Sequence, residues 1–226
     1  MNILSLLCIS KYFYAMDKQS EYIEDLRTIK KVMEESSRFL SLSGLSGLFA
    51  GLIALAGAAL AVFTLLDGRL LLSGGFFMES TVQEIYQLKI RLSVLSLIVL
   101  VLAIGVSIWF SYRKSVRKGL KVWTPVSKRL LLNLMVPLVT GGILIIIFYL
   151  QHNWQLVIPS MLIFYGLALV GAGKFTYNDI FYLGLIEILT GLTAAVFPVY
   201  GILLWCFGFG FLHITYGLIL FRKYER

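Results

Sequence analysis

Two side chains able to do chemistry lie in stretches that are otherwise almost pure hydrocarbon. Glu187 sits near the middle of "FYLGLIEILTGLTAAVFP", Phe181 to Pro198, and His213 lies in the next apolar run, within "FGFGFLHITYG". A carboxylate at the centre of a membrane helix is costly and needs either a partner or a task. The spacing offers a partner. The two runs meet at a turn, "FPVYG", and Glu187 and His213 stand equally far from it on opposite sides. Counted at about 1.5 Å per residue, Glu187 lies roughly 10 Å and His213 roughly 12 Å from the same membrane boundary. Small residues share their faces: Gly184, Gly191 and Ala194 with Glu187, and Cys206, Gly210 and Gly217 with His213. Such stripes let helices approach closely. A direct or water-bridged hydrogen bond between Glu187 and His213 is therefore expected, acting as a polar staple or as a site for proton transfer or ligand binding. Cys206 is two turns from His213, about 10 Å, too far to share a metal with it. No cofactor and no metal are expected.

The elements that must position this pair are membrane helices. Hydrophobic residues make up 59% of the 226 and charged ones 14%, against about 45–50% and about 25% in soluble domains. Six apolar runs meet the roughly 20 residues needed to cross a bilayer: about Leu40 to Leu66, Leu92 to Phe110, Leu130 to Leu150, Leu156 to Gly173, Ile180 to Phe197 and Gly201 to Phe221. Helices are expected throughout, because an open strand leaves its backbone unsatisfied in lipid. The fold class is thus all-α, a polytopic membrane protein with six transmembrane helices over residues 40–226. With the amino terminus inside, 17 of the 20 Lys and Arg fall on the cytoplasmic side and only Arg69, Lys89 and Arg91 outside. Positive flanks stay in the cytoplasm, so both termini are expected there. Trp109, Tyr112 and Trp123 at the inner boundary, and Tyr149 and Trp154 at the outer one, suit aromatic belts.

Residues 1–39 form a separate cytoplasmic segment. The opening "MNILSLLCISKYFYA" lacks the basic start and small-residue cleavage site of a signal peptide. Met16 is expected as the natural start and residues 1–15 as poorly ordered. From about 17 to 38 the chain reads as an amphipathic helix, with Tyr22, Leu26, Ile29 and Met33 on one face and Glu24–Arg27 and Glu34–Arg38 spaced to pair. It is expected to engage the inner leaflet, the basic second loop, a second copy or a protein partner. The longest outer connection, "DGRLLLSGGFFMESTVQEIYQLK", contains Ser80 and Gln83 at capping-box spacing, which starts the second helix above the membrane.

Other motifs carry less chemistry. Gly44, Gly47, Gly51, Ala54 and Ala58 form a small-residue stripe on the first span, expected as a packing face within one protomer ahead of a homodimer contact. In "GLALVGAGKFT" the phosphate-loop spacing is not met and the context is a spanning helix. Pro137 and Asn133 suggest a kink with an amide placed to bond freed carbonyls. The seven basic residues of 111–129, Arg113, Lys114, Arg117, Lys118, Lys121, Lys128 and Arg129, suit topology and anionic lipid headgroups at about 1 kcal/mol each; nucleic acid is not expected. His152 is expected as a solvated loop residue. "YGLAL" and "YGLIL", Tyr165 and Tyr216 onward, repeat at a 51-residue shift, which chance or an old hairpin duplication explains equally.

Four stretches together, "SSRFLSLSGLSG", "NLMVPLVTGG", "LIFYGLALVGAGKFT" and "FGFGFLHITYG", resemble a family of small bacterial six-helix membrane proteins with no assigned function. The resemblance covers most of the chain from Met16 and implies a bacterial inner-membrane location. Function then divides three ways. A non-enzymatic protein that acts by interaction, as regulator, assembly factor or sensor, ranks first on the strength of its amphipathic arm. A small transporter or proton-linked carrier using Glu187 and His213 ranks second, with "FGFGF" allowing the last span to bend. An enzyme ranks last, because no Ser-His, Cys-His, H-E-x-x-H or paired-carboxylate spacing occurs. A water-filled cavity around the pair favours the carrier, and a dry seam the interaction protein.

Overall fold

The computed structural model describes residues 42–65, 82–119 and 122–225, together with Tyr22, Leu26 and Phe39. The chain divides into two units, Met1–Arg38 and Phe39–Arg226. In the first, Tyr22 and Leu26 are helical and exposed; the rest of the amphipathic arm and Ser80 lie outside the described residues.

The second unit is helical, with no strand among its described residues. Its helices are α1 (Gly44–Leu60), α2 (Val82–Arg117), α3 (Pro125–Leu150), α4 (Val157–Gly173) and α5 (Asn178–Val196). The last crossing is built from α6 (Gly201–Trp205), a π-helical segment Cys206–Leu212 and α7 (His213–Tyr224), and is called here the sixth span. Six helices are long and apolar enough to cross a membrane, the pattern of a multi-pass membrane protein. Hydroxyls carried into the apolar zone are satisfied locally: Ser93, Ser96, Thr140, Thr190, Thr193 and Thr215 each donate to the carbonyl four residues earlier. That is how helix backbone absorbs a polar side chain where water is absent.

Packing runs in a chain of neighbours. α1 lies between α2 and the sixth span, α4 lies between α3 and α5, and the sixth span also meets α4 and α5. Leu169, Tyr177, Ile180, Leu183, Leu212 and Leu220 make one core cluster, edged by Leu42, Tyr165, Ile186, Tyr216 and Tyr224. No residue in the most apolar part of α2 is fully buried; Val99 packs on Gly57 of α1, while Leu97, Ile98, Val101 and Ile108 are exposed.

Local chemistry sets several helix ends. Thr124 caps α3 through a reciprocal pair with Ser127, with Pro125 at the first helical position, where its missing N–H costs nothing. At the other end His152 takes φ 61° while its N–H bonds Tyr149 O and the N–H of Asn153 bonds Phe148 O; this is the left-handed C′ closure usually given to glycine. α3 continues through Pro137. The Asn133 amide does not serve the carbonyl that Pro137 frees, which is Asn133's own; it donates to Arg129 O at 2.9 Å. The freed carbonyl faces α4 instead, 3.2 Å from the place a Cβ on Gly171 would take.

α2 is longer than hydropathy implies. It runs unbroken to Arg117, so Arg113, Lys114 and Arg117 sit on its last turns, and Lys128 and Arg129 in the first two turns of α3. Basic residues at a helix C-terminus complement its dipole, and the connection they were expected to occupy is correspondingly short.

Candidate functional site

Glu187 is fully buried, at 0% exposure, between α4 and the sixth span. It fits there because residue 208 is glycine: a Cβ at Gly208 would lie 2.5 Å from Glu187 Oε2 and 2.6 Å from Leu162 Cδ2. His213, 7% exposed, sits at the first turn of α7, directly after the π-helical segment. Its Nδ1 is 3.0 Å from Gly208 O and its Nε2 2.7 Å from the Tyr165 hydroxyl on α4. Phe209 and Tyr165 flank the ring at centroid distances of 5.9 Å and 5.3 Å.

The structure brings Glu187 and His213 together, with Nδ1 and Oε1 3.5 Å apart. It does not place a hydrogen bond between them. Gly208 O is the nearer acceptor, and both Glu187 oxygens lack a hydrogen-bond partner among the described residues. Spacing alone had pointed to a direct bond or a water bridge; the competitor it could not reveal is a backbone carbonyl five residues before His213, turned inward by the π-helical segment. Tyr165 is the member that sequence reading missed. It belongs to a different hairpin, so no symmetry about "FPVYG" points to it, and its only signal was the "YGLAL" match.

The small-residue stripes also pack differently from the expectation. Gly184 and Gly191 of α5 face α4, where added Cβ atoms would meet Gly166 O at 2.7 Å and Ile163 Cγ1 at 2.7 Å. On the sixth span Gly210 and Gly217 face α1. A Cβ on Gly51 would stand 2.7 Å from Gly210 O, and one on Gly47 3.3 Å from Gly217 Cα. Gly44 lies against Phe221 and Gly217 O. Ala54 is buried and Ala58 half-buried on the same helix. The stripe of Gly44, Gly47 and Gly51 is thus filled by the chain's own sixth span, and between α5 and the sixth span the Glu187 side chain fills the gap left by Gly208.

A second polar cluster, absent from the sequence reading, knits the other ends of these helices. Lys114, counted there among the loop charges that suit anionic headgroups, is 7% exposed. Its Nζ donates to Leu42 O at 2.5 Å and to Glu225 Oε1 at 3.2 Å, with the Tyr177 hydroxyl at 3.4 Å. Glu225 also accepts from Gly44 N at 2.5 Å and from the Ser43 hydroxyl at 3.2 Å. The start of α1 has no side-chain cap of its own, so a carboxylate from the far end of the chain caps it, where the helix dipole favours negative charge. Tyr177 stacks on Tyr224 at 4.0 Å. Burial, followed by the charge of Glu225 and then Tyr224, pushes the Tyr177 phenol up to about 12. Asp179 accepts from Lys223 at 3.1 Å and from the Tyr224 hydroxyl at 2.9 Å. Phe39 N donates to Phe175 O at 2.7 Å and Thr176 Oγ1 to Phe39 O at 2.9 Å. The start of α1 and the ends of α2, α4 and the sixth span therefore share one side of the bundle.

Fold and site together have the pattern of a multi-pass membrane protein with, among the described residues, one fully buried acid in its helix seams and a network of ion pairs at one end. Comparison with protein-family models, with curated proteins and with solved structures found no match to this chain.

Proposed function

We propose that the chain is a non-enzymatic protein of the bacterial inner membrane, with both termini in the cytoplasm, that acts by interaction as a regulator, assembly factor or sensor. The orientation is supported by 17 of 20 Lys and Arg falling on one side, and the bacterial setting by the four stretches that resemble small six-helix membrane proteins. The side bearing the Lys114–Glu225 cluster is then the cytoplasmic one, and Arg113, Arg117, Lys118, Lys128 and Arg129 there suit anionic headgroups.

The observation that carries an interaction role over a carrier role is the closure of the seams. At Gly44, Gly51, Gly166, Gly184 and Gly217 an added methyl would meet backbone atoms of the neighbouring helix at less than 3.0 Å. Parting these seams in a transport cycle would separate backbone packed directly on backbone. The apolar Tyr22 and Leu26, exposed at 58% and 65%, favour the amino-terminal arm as the part that engages a partner or a second copy.

The test is reconstitution of the purified protein in liposomes under a pH gradient, beside Glu187→Gln. The expected result is no gradient-driven flux that distinguishes the two. Flux that Glu187→Gln abolishes overturns the proposal in favour of a carrier. Photo-crosslinking from positions 22 and 26 in native membranes then identifies what the arm touches.

A further inference from the structure

Glu187 stands at zero exposure with neither carboxylate oxygen hydrogen-bonded among the described residues. An uncompensated anion in such a place is far costlier than a neutral acid. Among the described residues, the ionisable groups beside it are His213 from the sixth span and, on the other ring nitrogen of that histidine, Tyr165 from α4. On its own helix Asp179 is at the far inner end and is paired with Lys223 and Tyr224.

The partners of the imidazole settle where its hydrogen lies. A carbonyl only accepts, so the Nδ1 that faces Gly208 O carries hydrogen, and Nε2 of the neutral ring accepts from the Tyr165 hydroxyl. The Nδ1–H has two acceptors in reach, Gly208 O at 3.0 Å and Glu187 Oε1 at 3.5 Å. It can serve only one of them well.

What could occupy the acid is limited by room. The space beside Oε2 is closed by Gly208 and by Leu162, whose Cδ2 is 2.6 Å from the point where a Cβ on Gly208 would stand. A metal ion with its shell of oxygen ligands does not fit there, and no group of three or more metal-binding side chains occurs among the described residues. A proton needs no volume.

The geometry points to Glu187 as a proton-binding site whose occupancy decides which acceptor the His213 Nδ1–H serves. With the proton on, the neutral acid leaves the imidazole bonded to Gly208 O. With it off, the carboxylate draws the same N–H to Oε1 and Gly208 O is released. One proton passes between water and one carboxylate oxygen, while the imidazole and the phenol keep their own. The exchanged bond ties His213 to the π-helical segment, a wide turn of the kind that often sits at functional positions. Protonation thereby biases the conformation of the sixth span at the level of Gly208 and Gly210. The inference is independent of the interaction role, since it requires neither a partner nor flux.

The experiment uses the full chain in lipid nanodiscs. Infrared difference spectra across pH report the carbonyl stretch of a protonated carboxylic acid, and 15N-histidine NMR reports the ring. The chain has two histidines, so His152→Gln leaves the His213 signals alone. A protonated-acid band is expected in the wild-type protein at neutral pH. It should decline as pH rises, with the His213 Nδ1 signal moving over the same interval; both changes are lost in Glu187→Gln, whose neutral amide keeps the imidazole on Gly208. Absence of that band from the wild-type spectrum at neutral pH overturns the proposal without recourse to any variant. An Nδ1 signal that moves identically in Glu187→Gln overturns the coupling.

Discussion

Removing Glu225 should unfold this protein more readily than removing the lysine it pairs with. The carboxylate collects three donors, Gly44 N–H, the Ser43 hydroxyl and the Lys114 ammonium, at side-chain exposures of 12% for Glu225 and 6% for Lys114. Glu225→Ala therefore strands a buried ammonium and uncaps α1 at once. Breaking a buried pair from one side costs about 3–5 kcal/mol, and loss of a helix cap adds about 1 kcal/mol. Lys114 keeps the Leu42 carbonyl, which holds the expected total near about 3 kcal/mol. Lys114→Met leaves Glu225 with the Gly44 and Ser43 donors at a positive helix end, so about 1–2 kcal/mol is expected. The double variant should lie within about 1 kcal/mol of Glu225→Ala, because the stranded charge is gone. Equilibrium unfolding in mixed micelles, followed by helix content, measures all three. If Lys114→Met costs as much as Glu225→Ala, or if neither exceeds about 0.5 kcal/mol, the value expected of an exposed pair, the reasoning is refuted.

Three further outcomes are expected. Gly217→Ala, whose methyl would meet Gly44 O at 2.8 Å and press on Leu48 N, should destabilise by about 1–3 kcal/mol, while Gly142→Ala, with nothing within 4 Å, should stabilise α3 or leave it unchanged; equal thermal midpoints would contradict this. His152→Gly relieves a left-handed φ of 61° and should stabilise by about 1 kcal/mol, read as a rise in unfolding midpoint. Tyr177 is raised in the folded protein, so its contribution is complete below the ordinary tyrosine value of 10.0 and is lost as pH climbs through about 12. Over that window the wild type should lose stability faster than Tyr177→Phe, and parallel profiles would exclude the cause.

The six crossings were legible because hydropathy integrates over some twenty residues and survives errors at the ends. The end of α2 was not, since Arg113, Lys114 and Arg117 read as loop charges until the helix is seen to carry them. The proximity of Glu187 and His213 followed from hairpin symmetry, which needs only a turn and equal spacing. Their partners, Gly208 O and Tyr165, follow from a π-helical segment and from another hairpin, and neither leaves a periodic trace. Glycine stripes announced close approach without naming the neighbour: Gly184 meets α4 and Gly217 meets α1, although both stripes were expected to meet each other. Glu225 was the least visible. In "RKYER" it reads as one more surface charge, and its cation lies 111 residues earlier.

The union of α1 with the sixth span also has a consequence in time. Gly44 and the carboxylate that caps it are 181 residues apart, which at about 5–20 residues per second means roughly 10–40 s of synthesis. Throughout that interval the face of Gly44, Gly47 and Gly51 stands in the bilayer before its own cover exists, and it has the small-xxx-small form that pairs helices in lipid. On one polysome the uncovered α1 faces of successive nascent chains are then free to pair until that cover arrives. Arrival of the sixth span would end such pairing by exchange, so slowing translation after α5, or cutting the chain before Gly201, is expected to favour the paired form.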